Sequence, residues 1–399
     1  MDEQKRAWAE IDLSAIENNI RWIRRFVRPE TKIMGIVKAD AYGHGYAKTA
    51  RILLQNGAEW LGVACVDEAM QLRRSGFSCP ILILGYTDPA FATQLVQEDI
   101  TPACYDYDLA SAMSRAAVKQ EKRAQIHIKI DTGMGRVGLR YTEDEELNQE
   151  TVNTILKMAV LPNLDIDGIF THFAVADEKD DAYTEMQFER FQHVCNRLKE
   201  NGLDVNHKHC CNSAAMMRFP KMHMDMVRPG IVLYGAKPSP LVDCGSLHLM
   251  PAMQFKAKVT NVKEVDAGES VSYGRKFQTT QKTKLVTIPI GYADGYSRVL
   301  SQKAQAIVNG KLCNVVGNIC MDQCMIDATA VHTIHIGDEV ILFGKSDDIE
   351  LPVESLADKM GTINYEILCL IGKRIPRIYV KDGKMQDSHN FLFDSPIWG

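Results

Sequence analysis

No apolar run in this 399-residue chain approaches the roughly 20 residues that a membrane-spanning helix needs, which excludes that class of membrane protein. A strong charge of one sign is also missing. The net charge is −5, which leaves no electrostatic case for a nucleic acid or an anionic membrane as partner. The eleven cysteines include no C-x-x-C pair and no zinc-finger spacing with histidine, so no metal site is expected. Their densest cluster, His207-Lys208-His209-Cys210-Cys211, reads as part of a strand, and Cys320 and Cys324 have no matching second pair. Most of the thiols are expected to be small buried hydrophobes in a reducing compartment. Charges continue from Asp2 through Asp12, so no signal-peptide core is expected and the cytoplasm is the expected location. There is no internal repeat and no low-complexity segment.

What is present fits a soluble globular protein, with 46% hydrophobic and 24% charged residues, and the length predicts two domains. Short apolar runs alternate with helical patterns. The runs fall at 33–37, 60–64, 81–84, 101–104, 126–130, 166–170, 208–211 and 226–227. Eight strands within about 200 residues predict a (β/α)8 TIM-type barrel; a doubly wound sheet would normally use fewer. Past Pro238-Ser239-Pro240 the texture changes to alternation at 255–262, a turn at 266–269, a turn and strand at 336–344, and an Asn309-Gly310 hairpin. The expected division is a barrel at 12–240 and a mainly β domain at 241–399, joined by an N-terminal strand at 1–11.

Polar residues gather where the barrel strands should end. Lys38 closes the first strand ahead of Gly43-His44-Gly45, and a lysine against apolar walls is a usable nucleophile or base. After the fifth strand, Asp131-Thr132-Gly133-Met134-Gly135-Arg136 lets the backbone approach a ligand, and Arg136 can bind a carboxylate. His172 ends the sixth strand. Asn212-Ser213-Ala214 reads as a helix start after the seventh, and Arg228-Pro229-Gly230-Ile231 follows the eighth. Taken singly, each has an ordinary explanation: an ion-paired lysine, a surface arginine, a structural histidine, two connecting turns. Together, a lysine at strand one and a phosphate cradle at strands seven and eight suggest pyridoxal phosphate (PLP), which proteins hold covalently on a lysine.

Five segments in order resemble the alanine racemase family. They are Val37-Lys38-Ala39-Asp40-Ala41-Tyr42-Gly43-His44-Gly45, Asp131-Thr132-Gly133-Met134-Gly135-Arg136, Arg228-Pro229-Gly230, Gly291-Tyr292-Ala293-Asp294-Gly295 and Gly317-Asn318-Ile319-Cys320-Met321-Asp322. The resemblance spans essentially the whole chain. It implies a PLP-binding barrel, a C-terminal β domain and a homodimer whose active sites are shared between subunits. It further implies that Lys38 holds PLP and is one catalytic base, and that Tyr273, reaching in from the partner subunit, is the second. Tyr42, Ser213, Gly230, Ile231 and Tyr365 would contact the phosphate, and Arg228 would face the pyridine nitrogen and leave it unprotonated. His172 would sit behind Tyr273. Arg136 and the Met321 backbone would hold the substrate carboxylate. Tyr292 and Tyr365 would narrow the entrance, and Lys129 matches a position that is often carbamylated. The expected reaction is interconversion of L- and D-alanine. Alternatives are a serine or broader-specificity racemase, which a bulky Tyr365 disfavours, an amino-acid decarboxylase, which Arg228 and the 291–295 segment fit poorly, and a PLP carrier with no reaction of its own.

Overall fold

The structure, a computed structural model, describes residues 5–245, 247–346 and 349–394. Residues 1–4 of the expected strand at 1–11, and 395–399 of the expected β domain, lie outside the described residues. The chain divides into two compact units. One comprises Ile16–Ala41 and Tyr46–Met250, the other Met1–Ala15, Tyr42–Gly45 and Pro251–Gly399.

The first unit is a parallel barrel of eight strands: β1 Lys32–Ile36, β2 Trp60–Val63, β3 Ile81–Ile83, β4 Thr101–Cys104, β5 Ala124–Asp131, β6 Leu164–Phe170, β7 His207–His209 and β8 Met226–Val227. Each pairs with the next from β1 to β7, and β8 pairs back onto β1. Backbone bonds from Asp225 to Lys208 (3.1 Å) and from Arg228 to Cys211 (3.0 Å) join β7 to β8, so the barrel nearly closes. Its strands are short and apolar because both faces are covered. Ile33, Met34, Leu61, Ile81, Leu82 and Ile83 are wholly buried. The helix that precedes β1, Leu13–Phe26, is amphipathic: Ile16, Ile20 and Ile23 recur at helical spacing on its buried face. The expected barrel is therefore the one observed.

The second unit is built on one large sheet. Its strand order is Asn261–Val265, Thr283–Ile288, Cys324–Asp327, Lys311–Val316, Gln305–Val308, Glu339–Ser346, Met253–Lys258, Ala7–Asp12, Arg377–Lys381 and Lys384–His389. The Asn309-Gly310 hairpin forms as expected, with Val308 opposite Lys311. The alternation at 255–262 is divided between two strands. It breaks at Val259-Thr260, because Met253–Lys258 pairs with Ala7–Asp12 whereas Asn261–Val265 pairs with Thr283–Ile288. Two short helices, Val353–Met360 and Asn364–Leu370, were absent from the sequence reading. All eleven cysteines are free thiols, and seven of them are buried, as most were expected to be. Among the described residues no helix is long and apolar enough to cross a membrane.

Candidate active site

The C-terminal ends of the barrel strands carry most of the expected site residues of the first unit. Lys38 lies two residues beyond β1 and opens a turn that the sequence reading missed. Ala39, Asp40, Ala41 and Tyr42 all have φ between 52° and 54°, a left-handed turn made without glycine. Each such residue costs about 1–2 kcal/mol, so the surroundings must hold it. Glu68, in the first turn of the helix Val66–Arg74, accepts from the Ala39 amide (2.6 Å) and the Ala64 amide (2.7 Å). Asp40 accepts from the Tyr46 amide (2.9 Å). The turn thus fixes the backbone on the C-terminal side of Lys38.

Arg228, the first residue after β8, is 3% exposed. It donates to His209 Nδ1 (2.9 Å), to the Thr171 carbonyl (2.8 Å) and to the Cys210 carbonyl (3.0 Å), and lies 3.3 Å from His172 Nδ1. Burial lowers its guanidinium to about 10. Lys129, inside β5, is as buried as Arg228 and faces the Phe170 ring at 5.0 Å. Burial first, then Arg228 and Arg136, push its amine well below the ordinary lysine range, and Asp131 opposes them. His172 follows β6, half-buried. Loss of water, then Arg228, Lys129, Arg136 and Lys38, push its imidazole well below the usual value. Lys38, Arg136 and Arg228 thus gather at this end of the barrel, an arrangement that suits anions.

The other loops complete the barrel mouth. Asp131 accepts from the Gly133 (3.0 Å) and Gly135 (3.1 Å) amides and folds the loop that presents an exposed Arg136. Asn212 caps the helix Ser213–Arg218 by accepting from Ala215. The Ser213 hydroxyl accepts from the Gly230 amide (2.8 Å), which leaves its own proton to donate elsewhere. Ile231 begins the 3₁₀ turn Ile231–Tyr234, a position whose amide has no partner within the turn.

The remaining expected residues belong to the second unit. Tyr42 and Tyr365 pack with ring centroids 6.0 Å apart, and burial pushes the Tyr42 phenol up, keeping it a neutral donor. Tyr292 and Met321 sit on paired segments: the Tyr292 amide donates to Cys320 (3.1 Å) and the Ala293 amide to Met321 (3.0 Å). A side chain at Gly291 would press into both of those carbonyls, so only glycine allows this approach. Tyr273 is 71% exposed, unusual for so large an aromatic. Its backbone is pinned by Asn318, whose side chain donates to the Tyr273 carbonyl (2.6 Å). Asp294 is wholly buried and holds Arg6 (2.6 Å) and Arg374 (3.4 Å), and Arg374 also binds Asp322 (2.8 Å). Sequence reasoning gave Asn318 and Asp322 no role and missed Arg374. For Asn318 and Asp322 the only signal was membership in the Gly317–Asp322 motif; Arg374 had none.

The buried rings make stability depend on pH. Burial lowers His127, His172, His209 and His223. Unfolded, these rings take up protons as the pH falls through about 6.5; folded, they do so only at lower pH. The unfolded chain then binds more protons, and each ring removes about 1.4 kcal/mol per pH unit on the acid side. Urea unfolding at pH 7.5 and 5.5 is expected to show a clearly lower midpoint at pH 5.5 with an unchanged slope.

Comparison with known proteins agrees with this geometry. Residues 11–238 match the family model described as "Alanine racemase, N-terminal domain", and 252–379 the one described as "Alanine racemase, C-terminal domain". An alanine racemase of Desulforamulus reducens is 48% identical over 94% of this chain and 98% of its own. The solved alanine racemase of Clostridium difficile 630 superposes with a TM-score of 0.92 at 38% identity, covering 98% of this chain and all of that one. That of Bacillus anthracis, solved with bound L-Ala-P, gives 0.91 at 35% identity over 98% and 99% of the two chains. With both halves matched and relatives aligned nearly end to end, the chain belongs to the alanine racemase family, a family of amino-acid isomerases.

Proposed function

We propose that the protein interconverts L- and D-alanine with PLP, using two bases on opposite faces of the substrate: Lys38, and Tyr273 of the partner subunit in a homodimer. The observation that carries this reading is the placing of Lys38, Arg136 and the buried Arg228 at one end of the barrel, with Arg228 3.3 Å from His172. Such a gathering of cations suits a phosphate and an amino-acid carboxylate. Bound PLP would supply an electron sink for the α-carbon of the substrate. Lys38 would hold the cofactor. Ser213, Gly230 and Ile231, with Tyr42 and Tyr365, are assigned to its phosphate, and Arg228 to its pyridine nitrogen. The Gly230 amide donates to Ser213 Oγ, which leaves the Ser213 hydroxyl proton available to the same phosphate.

Arg136 and the Met321 backbone would bind the substrate carboxylate, and Tyr292 and Tyr365 would restrict the side chain. Burial favours the neutral form of Lys129, the form that would add CO2 to give a carbamate and a released proton. That anion would orient Arg136. His172 would sit behind Tyr273 as a neutral ring with its Nδ1 turned to Arg228. The working domain division is 12–240 and 241–399 with 1–11, and a cytoplasmic location belongs to the same proposal.

The test is proton NMR of L-alanine in D2O with the PLP-loaded protein, coupled to a D-alanine assay. Loss of the α-proton signal with D-alanine appearing is expected, both vanishing in Lys38→Ala. Exchange without D-alanine would remove Tyr273 as second base. No exchange with alanine but exchange with serine would change the substrate.

A further inference from the structure

A barrel interior is normally filled with branched apolar side chains. Here β5, β6 and β7 instead place His127, Asp167, His207 and His209 inside it. His127 and His209 are wholly buried; Asp167 and His207 are 7% and 8% exposed. His209 Nε2 lies 2.9 Å from His127 Nδ1, and His127 Nε2 lies 3.4 Å from Asp167 Oδ2. His207 Nδ1 is 3.2 Å from the same Asp167 oxygen, and its Nε2 is 2.7 Å from Lys32 Nζ at the start of β1. Asn206 donates to the other Asp167 oxygen (2.9 Å). Phe170 stacks on His209 at 4.9 Å, and Trp60 packs on His127 and His207 at 5.1 and 5.4 Å. The fold makes room for this arrangement. A Cβ at Gly168, the β6 residue opposite His127, would lie 2.6 Å from the His127 ring.

The two ends of the chain dictate where its protons lie. Arg228 has donors only, so His209 Nδ1 accepts and its proton sits on Nε2. That proton points at His127 Nδ1, so His127 also carries its proton on Nε2, facing Asp167. From the other end, Lys32 has donors only, so His207 Nε2 accepts and its Nδ1–H also faces Asp167. Donation therefore runs inward from both cations and ends on one carboxylate. His127, Asp167 and His207 could otherwise be taken for a metal trio, since their ligand atoms lie within 4.8 Å of one another. A metal would require the opposite tautomers, setting His127 Nδ1–H against His209 Nε2–H and His207 Nε2–H against the Lys32 ammonium.

We propose that Asp167 is a positioning residue for Arg228, acting through His127 and His209 to hold each ring in one tautomer and the guanidinium in one orientation. The hydrogen bonds to Asp167 outweigh its burial and keep its carboxyl ionised, while burial keeps both rings neutral. The assignment of Arg228 to the cofactor rests on the reading under Proposed function. The proton pattern does not.

Long-range ¹H–¹⁵N correlation spectra of histidine-labelled holoenzyme at neutral pH test the pattern directly. His127 and His209 are expected as Nε2–H tautomers and His207 as Nδ1–H, with peaks assigned by single His→Asn variants. An Nδ1–H form of His209 or His127, or loss of both ring protons next to Asp167 on adding zinc, would overturn the chain. Two variants then test positioning by separate routes: Asp167→Asn removes the terminal carboxylate, and Gly168→Ala displaces the His127 ring. Each is expected to lower kcat for alanine about 10–100-fold with KM within about twofold, and to shift the visible absorption of the bound cofactor. A folded Asp167→Asn enzyme with unchanged kcat and absorption would overturn the positioning role. Expected tautomers in a wild-type protein that does not racemise alanine would instead count against the proposed function.

Discussion

Lys38→Ala and Tyr273→Phe are each expected to lose racemisation by at least about 10³-fold, since each removes one of the two proposed bases, yet a mixture of the two should recover it. In a mixed dimer one site carries both substitutions and is dead. The other combines the intact Lys38 of one subunit with the intact Tyr273 of its mate. Random reassortment of equal amounts makes half the dimers mixed, so about a quarter of the wild-type activity should return. The measurement is D-alanine formation before and after the two purified variants are unfolded and refolded together with PLP. Recovery near zero, with dimers shown to have exchanged, would mean that Tyr273 serves its own chain or is not a base. The exposure of Tyr273, 71% on a chain held in place by Asn318, is what a residue offered to a partner would show.

The second large effect is expected at Arg228. Arg228→Met removes a buried cation and leaves His209 Nδ1 and the Thr171 and Cys210 carbonyls without their donor. Breaking a buried network from one side costs about 3–5 kcal/mol. In a unit of this size that lowers the melting temperature by roughly 10 °C. Arg228→Lys keeps the charge but not the planar fork, and one ammonium cannot reach all three acceptors, so most of the loss should persist. Calorimetry of both variants checks this. A Met variant that melts within about 2 °C of wild type would show that the network contributes little.

The barrel was legible in the sequence because its strands are apolar runs bounded by turns; 101–104 and 226–227 appear at their expected limits. Strand ends in turn told where polar residues mattered, which is how Lys38, His172, Ser213 and Arg228 stood out before any resemblance. Tyr273 had no such frame. In a β region an aromatic residue reads as core, and only the family likeness singled it out. The helices Val353–Met360 and Asn364–Leu370 are eight and seven residues long, too short to impose a period on a domain read as mainly β. The chain from Arg228 to Lys32 was invisible for a different reason. His127, Asp167 and His209 are far apart in sequence, and only the neighbouring of β5, β6, β7 and β8 makes them one network.

With Lys38 in its proposed role, the left-handed turn after it sets stability and catalysis against each other. Alanine at 39 and 41 carries a conformational penalty that glycine would remove, so such a change should raise the melting point. Yet the same stiffness fixes the stem from which Lys38 extends, and a glycine hinge would let that amine wander from its working position. Directed evolution for heat resistance and for turnover would then select opposite residues at these two sites. A protein optimised for reaction rate keeps the strained choice.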